Sequence, residues 1–461
     1  MKYFYLISFQ FRFVLILNST LQKILSNYSD AEAIVSVNEM ITYHQLIDEA
    51  FSVYSFLKSK SITSDWIAID ANEGWRSYAY ILGVWMFGKG YLPINSSAPE
   101  ERNIEILEAA KCHFILNKTS YSKKKVYSQS LDISEGIGLA YLLFTSGTTG
   151  KPKGVPISFR NLASFTEHYF NHEVIDFTNS DRFLQSYELT FDVSVFCFTM
   201  AFLNGATLVL PEQTGIKYQG LFKAIKAFDV SVVSFVPSVL RMSFPFLDRL
   251  KLPSIKYSFF SGEALHGDWA KAWIKSIPNA LVYNCYGPTE TVIVCTEEPL
   301  LDLDESYFKS GMALPLGRAF KGVDLKIING EICFSGEQVF EGYLNAGFIS
   351  EYQSGDMGRI DENGKLLFEG RKDDQIQWNG YRIELAEMDL VITQKTKQWC
   401  KSVFHNGKLT VFTLSNHLLV KTAIENYFPI YYTPSNIIQI NKIPLNLNGK
   451  LNLTLLKSKC V

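Results

Sequence analysis

The sequence predicts an α/β protein with one large N-terminal domain and one small C-terminal domain. From about residue 30, short apolar segments typical of strands alternate with segments of helical spacing, which indicates parallel-rich sheets connected by helices. Beyond Lys321, short strand segments are separated by Asn-Gly turns, which is the pattern of β-hairpins. The 461 residues exceed what one hydrophobic core usually holds, so two or more domains are expected.

Each element follows from its local pattern. Periodic apolar residues predict helices at 43–58 and 75–87, and an apolar run predicts a buried strand at 140–144. The other predicted strands are 33–37, 66–70, 91–94, 113–117, 207–210, 230–235, 256–260 and 281–283. The hairpin segments are VDLKIING, EICFSG, GRIDENGKLLFEGR and QIQWNGYRIEL. A compact mixed α+β segment ends the chain, so we place a boundary near Asp373, between domains 1–373 and 374–461.

Composition and charge exclude several classes of protein. Apolar residues make up 47% and charged residues 20%, as in an ordinary globular protein. The net charge of −2 gives no bulk attraction for nucleic acid or an anionic membrane. The apolar stretch at 1–20 is interrupted by Gln10 and Arg12, so we interpret it as an opening strand or helix rather than a signal peptide or membrane span. Seven scattered cysteines without a CxxC pair indicate free thiols in the cytoplasm, and no membrane insertion is expected.

The segment YLLFTSGTTGKPKGVPIS, at 141–158, combines glycines, hydroxyls and lysines directly after a predicted strand. Glycines let backbone N–H groups turn toward an anion, and phosphate sites in α/β sheets commonly follow a strand. Pro152 occupies the position where a Walker loop has Ser or Thr, so this is a different pattern. A flexible surface linker is the alternative, but it does not account for hydroxyls that alternate with glycines. We therefore predict a phosphate-binding loop.

FTSGTTGKPKG resembles the phosphate-loop signature of the adenylate-forming superfamily, which includes acyl-CoA ligases, luciferases and peptide-synthetase adenylation domains. Other segments resemble family motifs in the family's order: ITYHQL, GKGYLPINSSAPEER, FDVS, YNCYGPTE, GEICFSGEQVFEGYLN, SGDMGRI, GRKDDQIQWNGYRIEL and NGK. The resemblance covers nearly the whole chain. It implies a distorted β-barrel-like part in the N-terminal domain, a mobile C-terminal domain, and a reaction of a carboxylate with ATP that yields an acyl-adenylate and pyrophosphate.

The resemblance also implies roles for individual residues. The phosphate-binding positions are Thr145, Ser146, Gly147, Thr148, Thr149, Gly150 and Lys151. The adenine- and ribose-binding positions are Asn284, Tyr286, Gly287, Asp356 and Arg371. Thr289 would contact the α-phosphate, and Glu290 would bind the Mg²⁺ that accompanies ATP, because carboxylates are hard oxygen ligands. Taken singly, Tyr286 could be core, Glu290 surface and Asp356 a turn residue. Only the occurrence of all these motifs together, in the family's order, favours the roles that the family implies.

Lys450 is the residue we expect to catalyse adenylation, since an ammonium there can approach both the carboxylate and the α-phosphate. The alternative is that Lys450 is an ordinary exposed lysine near the C-terminus. Because Lys450 is far from the phosphate loop in sequence, the C-terminal domain must close over the site. The resemblance implies that this domain later rotates about a hinge at Asp373 and opens a path for a thiol. Gln377 departs from the pattern, because the family usually has a lysine there.

Asp192, in FDVS, matches the aspartate that binds the substrate's α-ammonium in amino-acid-activating members. It could also cap a helix. The remaining pocket positions are Val193, Phe196, Ser234, Phe259, Ser261, Cys285, Ile293 and Val294, which are apolar or small and polar. We therefore expect a small or medium neutral amino acid, delivered to the phosphopantetheine thiol of a separate carrier protein. An acyl- or aryl-acid CoA ligase and a degenerate, non-catalytic homologue are the alternatives.

Overall fold

The computed structural model describes residue 19 and residues 30–123, 138–146, 151–212, 217–301, 303–308, 312–378, 381–445 and 451–460. Apart from Ser19, the opening element predicted at 1–20 lies outside these residues, as do Gly147, Thr148, Thr149, Gly150 and Lys450. The predicted α/β class is confirmed, since helices and mainly parallel strands alternate through the first two thirds of the chain.

The helices and strands fall close to their predicted positions. The α-helices of the described residues are α1 (Tyr43–Lys58), α2 (Trp75–Met86), α3 (Glu100–Ala109), α4 (Phe159–Phe170), α5 (Asp192–Leu203), α6 (Lys217–Ala227), α7 (Pro237–Leu247), α8 (Gly267–Ser276), α9 (Leu385–Thr396), α10 (His417–Tyr427) and α11 (Leu453–Ser458).

The first fourteen strands are β1 (Glu32–Val35), β2 (Met40–Thr42), β3 (Trp66–Asp70), β4 (Gly90–Ile94), β5 (Ile115–Leu116), β6 (Leu139–Thr145), β7 (Lys153–Ser158), β8 (Arg182–Leu184), β9 (Thr207–Val209), β10 (Val232–Phe235), β11 (Tyr257–Phe260), β12 (Leu281–Tyr286), β13 (Thr296–Pro299) and β14 (Arg318–Ala319). They form two sheets. One has the order β14-β13-β12-β11-β10-β8-β9-β1-β2, and the other has the order β5-β3-β4-β6-β7. The central pairs in both sheets are parallel, and antiparallel pairs lie toward the edges.

The later strands form smaller sheets, as the Asn-Gly turns predicted. They are β15 (Val323–Ile328), β16 (Glu331–Gly336), β17 (Tyr352–Ile360), β18 (Leu366–Arg371), β19 (Gln375–Trp378), β20 (Tyr381–Glu384), β21 (Cys400–His405), β22 (Lys408–Thr413) and β23 (Asn436–Gln439). Strands β15 to β18 form an antiparallel sheet, β19 and β20 form a hairpin, and β21 to β23 form a three-stranded sheet.

Both large sheets are buried on two faces, which explains why their strands read as continuous apolar runs. In β10, Val232 packs with the core shared by the two sheets, whereas the neighbouring Val233 packs beneath α6, α7 and α8. A separate core joins α9, α10 and the sheet of β21 and β22, and it contains only residues from Ile376 onward. That distribution agrees with a boundary near Asp373, although the boundary stays a prediction.

Local sequence fixes where several helices begin. Thr42 caps α1 by accepting from the Gln45 backbone, and the Gln45 side chain accepts from Thr42 in return. Ser158 and Asn161 make the same reciprocal pair at the start of α4, directly after β7. None of the helices in the described part of the chain has the length and apolar character that spanning a bilayer requires.

Candidate active site

A cavity of about 690 Å³ opens at the carboxyl ends of β11 and β12, between the two large sheets and the residues that follow Asp373. Its size is typical of a site for a small-molecule ligand. Most of the predicted nucleotide and substrate residues line it: Thr145, Ser146, Asp192, Val193, Ser261, Cys285, Tyr286, Gly287, Thr289, Ile293, Asp356 and Arg371. The fold therefore brings together side chains that lie more than 200 residues apart in the sequence.

The predicted ribose residues form one hydrogen-bonded chain. The Tyr286 hydroxyl donates to one Asp356 oxygen at 2.5 Å, and Arg371 donates to the other at 2.8 Å. Arg371 also donates to both oxygens of Asp373, so it joins the predicted ribose position to the predicted hinge. Burial and the Asp356 carboxylate raise the pKa of Tyr286 well above its ordinary value, which keeps this hydroxyl a donor.

Two of the residues predicted to bind the nucleotide, Asn284 and Gly287, have structural roles of their own. The Asn284 amide is buried away from the cavity and donates to the Pro315 carbonyl at 2.7 Å, so its contact with adenine stays a prediction. Gly287 lies against the backbone of Val294, where an added Cβ would come within 2.4 Å of a Cα atom. Only glycine fits this close approach without a shift of the chain.

The predicted phosphate loop connects β6 to β7, and the structure describes its two ends, up to Ser146 and from Lys151. Thr145 and Ser146 line the cavity, and the Ser146 hydroxyl donates to the Arg382 carbonyl at 3.1 Å. Lys151, at the other end of the loop, is exposed. The roles of this loop in holding phosphate remain predictions.

Asp192 is the first residue of α5, and Phe191 is the residue that precedes the helix. The capping alternative therefore does not describe Asp192, whose side chain lines the cavity together with Thr289. Burial raises the pKa of Asp192 to about 6, although Thr289, the Val193 backbone and the Arg382 guanidinium oppose the shift. A carboxylate in this position is well suited to a cationic partner.

The predicted side-chain pocket divides into a lining and a backing layer. Val193, Ser261, Cys285 and Ile293 line the cavity with Asp192. Phe196, Ser234, Phe259 and Val294 lie behind them and are 3–4% exposed. The lining turns sharply at Ile293, which has a positive φ of 71°, an uncommon conformation for a β-branched residue.

Glu290 is fully buried in a short 3₁₀ turn, and a cation from beyond Asp373 meets it there. The Arg382 guanidinium donates to one Glu290 oxygen at 3.1 Å, and the Tyr343 hydroxyl donates to the other at 2.7 Å. Burial raises the pKa of Glu290, but Arg382 and Tyr343 outweigh it, so the pKa lies below its ordinary value. The sequence reasoning did not single out Arg382, although it lies in the quoted segment QIQWNGYRIEL.

A cluster of potential metal ligands among the described residues lies next to Cys285, where His168 and His172 both contact one Glu297 oxygen at 3.0 Å. The His172 Nδ1 atom accepts from the Val174 and Ile175 backbones, so its Nε2 atom carries the proton and donates to Glu297. A protonated Nε2 cannot bind a metal, so this geometry favours a hydrogen-bonded cluster.

The protein is thus an α/β protein with a cavity between its two large sheets, which residues beyond Asp373 help to line. A family profile described as AMP-binding enzyme matches residues 21–138 and 134–344, and the chain belongs to this family. The predicted membership of the adenylate-forming group is thereby confirmed.

Two kinds of relative match most of the chain. The D-alanine–D-alanyl carrier protein ligase of Staphylococcus epidermidis is 28% identical over 92% of this chain and 95% of its own length. The nonribosomal peptide synthetase SIDC of Beauveria bassiana is 28% identical over 89% of this chain, and a plipastatin synthase polypeptide of Bacillus subtilis is 26% identical over 94%. The chain spans only 10% and 19% of these two synthetases.

Solved structures show the same fold. The Vibrio cholerae adenylation domain AlmE, in complex with glycyl-adenosine-5'-phosphate, matches with a TM-score of 0.81 and 24% identity over 96% of both chains. The o-succinylbenzoate CoA synthetase MenE of Bacillus subtilis matches with a TM-score of 0.79 and 17% identity over 95% of this chain and 98% of its own. These two proteins share the fold but bind different ligands, so the fold alone does not identify the substrate.

Proposed function

We propose that this protein activates an amino acid with ATP as an aminoacyl-adenylate, releases pyrophosphate, and transfers the aminoacyl group to the phosphopantetheine thiol of a separate carrier protein. The Asp192 carboxylate in the cavity is the observation that carries this proposal, because it provides a charge partner for an α-ammonium. The match with a D-alanyl carrier protein ligase over 92% of the chain supports both the amino acid and the carrier.

The reaction requires a carboxylate held in line with the α-phosphorus while charge is neutralised on both sides. In this proposal, Asp356 and Arg371 hold the ribose and the Tyr286 ring faces the adenine. Thr289 donates to the α-phosphate, and the loop that begins at Thr145 holds the β- and γ-phosphates. All five of these residues line the cavity, so one bound ATP would contact them together.

Mg²⁺ would supply positive charge to the phosphates of bound ATP. Such an ion typically takes one or two protein carboxylates and completes its shell with phosphate oxygens and water. Glu290 is ionised at neutral pH, since its pKa lies below the ordinary value, and it directly follows Thr289. In this arrangement its two oxygens accept from Arg382 and Tyr343, so a metal ion would have to take the place of one of these donors. We assign Glu290 as the carboxylate that would hold the ion.

We also propose that the chain works as two domains, 1–373 and 374–461, joined at Asp373. Lys450 would belong to the second domain and would reach the α-phosphate only in a closed arrangement. Replacing Lys450 with alanine is expected to abolish adenylate formation and leave ATP affinity within about twofold, since the lysine acts as charge develops.

The described residues around Asp192 favour a small or medium neutral side chain. Val193 and Ile293 offer apolar contacts, whereas Ser261 and Cys285 are small and leave room. We infer a cytoplasmic location, because all seven cysteines are free thiols and six of them are buried.

ATP–pyrophosphate exchange across a panel of D- and L-amino acids, aryl acids and fatty acids tests the proposal. We expect exchange with at least one neutral amino acid and aminoacylation of an added phosphopantetheinylated carrier. Exchange with aryl or fatty acids alone would show a CoA-ligase-type substrate and refute the role of Asp192. Folded protein that binds ATP but exchanges with no acid would favour a non-catalytic homologue.

A further inference from the structure

The deep end of the predicted side-chain pocket is filled by aromatic rings. Phe196, on α5, and Phe259, on β11, meet edge to face with their ring centroids 5.3 Å apart. Tyr169, on α4, packs against both rings, at 5.3 and 5.9 Å. Both phenylalanines are 3% exposed and lie outside the cavity lining. Because protein interiors are closely packed, a substrate side chain cannot extend between these rings without displacing one of them.

Tyr187 presents its ring to the cavity. It lies in the segment that joins β8 to α5, where its backbone carbonyl accepts from the Gln185 side chain at 3.0 Å. Tyr187 lines the cavity, whereas its hydroxyl is buried and has no hydrogen-bond partner among the described residues. The ring is therefore the part of this side chain that a ligand would contact.

The buried hydroxyl of Tyr187 lies near residues on several sides of the pocket. Burial raises its pKa well above the ordinary value, and Cys197, Glu263 and Asp192 add to this shift. The Ser234 hydroxyl opposes the shift. Ser234, on β10, is 3% exposed and lies behind the cavity lining. The Tyr187 side chain thus extends from the cavity wall toward Ser234 and occupies the space in front of this predicted pocket residue.

These contacts limit the side chain that can lie beside Asp192. The other residues that line the cavity here are Val193, Ser261, Cys285 and Ile293. A long side chain on an amino acid whose ammonium pairs with Asp192 would have to move the Tyr187 ring or part the aromatic rings behind it. One extra methylene in such a pocket commonly changes the discrimination between substrates by about 10- to 200-fold.

We propose that Tyr187 is a specificity-determining residue whose ring closes the side-chain pocket, so that the substrate is glycine, alanine or serine. This inference rests on the proposed function and narrows its substrate class to side chains of at most two non-hydrogen atoms. The size of the ring carries the effect, since the hydroxyl is buried away from the ligand.

The first test compares pyrophosphate exchange along a series of increasing side-chain size, from glycine, alanine and serine through 2-aminobutyrate and norvaline to leucine. In wild type, kcat/KM for the best of the three small amino acids should exceed that for leucine at least tenfold. Y187A should lower this ratio at least tenfold through a gain with leucine, whereas Y187F keeps the ring and should keep the ratio. Trp269 is a matched control, because it is another aromatic residue of the cavity lining, beside His266 on α8. W269A should keep the wild-type ratio.

A second test measures binding without turnover and needs only the wild-type protein. Calorimetric titration with the sulfamoyl-adenosine analogues of glycyl-, alanyl-, seryl- and leucyl-adenylate should show at least one small analogue binding at least tenfold more tightly than the leucyl analogue. Equal acceptance of leucine by wild type in either test, an unchanged ratio in Y187A, or an equal change in W269A would overturn the inference. If no acid supports exchange but the analogues keep this preference, the proposed function fails and the role of Tyr187 stands.

Discussion

Replacing Asp192 with asparagine tests the assignment of the substrate's ammonium partner. Asparagine keeps the size and hydrogen-bonding capacity of the side chain but cannot ionise. The variant therefore isolates the charge, which is the property that distinguishes an amino acid from a simple carboxylic acid in the proposed function.

The magnitude follows from the pKa of Asp192, which burial raises from 3.8 to about 6. A shift of about two pKa units corresponds to about 3 kcal/mol. Because the folded state holds the proton more tightly than the unfolded state, this acid lowers stability progressively as pH rises from about 4 to 6 and carries the full cost above pH 6. A bound ammonium would offset that cost.

Two measurements check this reasoning. Calorimetric titration with the preferred amino acid should show affinity falling about tenfold per pH unit below pH 6 in wild type, where Asp192 is protonated, and weak, pH-independent binding in D192N. Urea unfolding without ligand should show D192N more stable than wild type by up to about 3 kcal/mol at pH 7.5 and nearly equal at pH 4. Wild-type affinity that stays flat between pH 5 and 7.5, or equal affinity in D192N, would refute the assignment.

Three further predictions concern the site and its support. Y286F loses the hydroxyl that donates to Asp356, so AMP affinity measured by calorimetry should fall about tenfold; unchanged affinity would remove Asp356 from the ribose site. R102M leaves buried Glu387 without its cation and should cost about 3–5 kcal/mol in urea unfolding, while R102M/E387M should recover most of it; an equal loss in the double variant would contradict the pairing. Trp273 is fully buried beneath the larger sheet, so W273A should lower unfolding free energy by about 3–5 kcal/mol, and an unchanged urea midpoint would contradict its place in that core.

Local patterns predicted the elements well because each boundary has a local cause. The helix predicted at 43–58 and the strand predicted at 66–70 have those bounds in the structure. The helix begins where Thr42 and Gln45 satisfy each other's backbone groups, and such a signal is readable from four residues. The strand predicted at 281–283 extends to Tyr286, because pairing with β13 continues through Asn284, Cys285 and Tyr286.

Side-chain direction within the site was harder to predict. Asn284 and Cys285 were both expected at the ligand, but neighbours in a strand point to opposite faces of a sheet. The structure places Cys285 on the cavity side and turns the Asn284 amide toward Pro315. Alternation alone does not describe the end of this strand either, because Cys285 and its neighbour Tyr286 both line the cavity.

Arg382 could not be placed from sequence because its position depends on how the C-terminal part docks. Its contacts with Glu290 and Ser146 span 92 and 236 residues. No local pattern encodes such a distance, and an arginine in a short strand is ordinarily solvent-exposed. The sequence offered one indication of a role for Arg382. It is a permanently charged residue within a segment that resembles a motif of the C-terminal domain.

The two carboxylates of the site show how neighbouring groups decide the pKa of an acid. Burial acts on both Asp192 and Glu290, yet the pKa of Asp192 is raised to about 6 while the pKa of Glu290 is lowered. The difference arises because Arg382 and Tyr343 contact Glu290 directly, whereas Asp192 has mainly Thr289. Glu290 thus already has its cation in this arrangement, and Asp192 still lacks one.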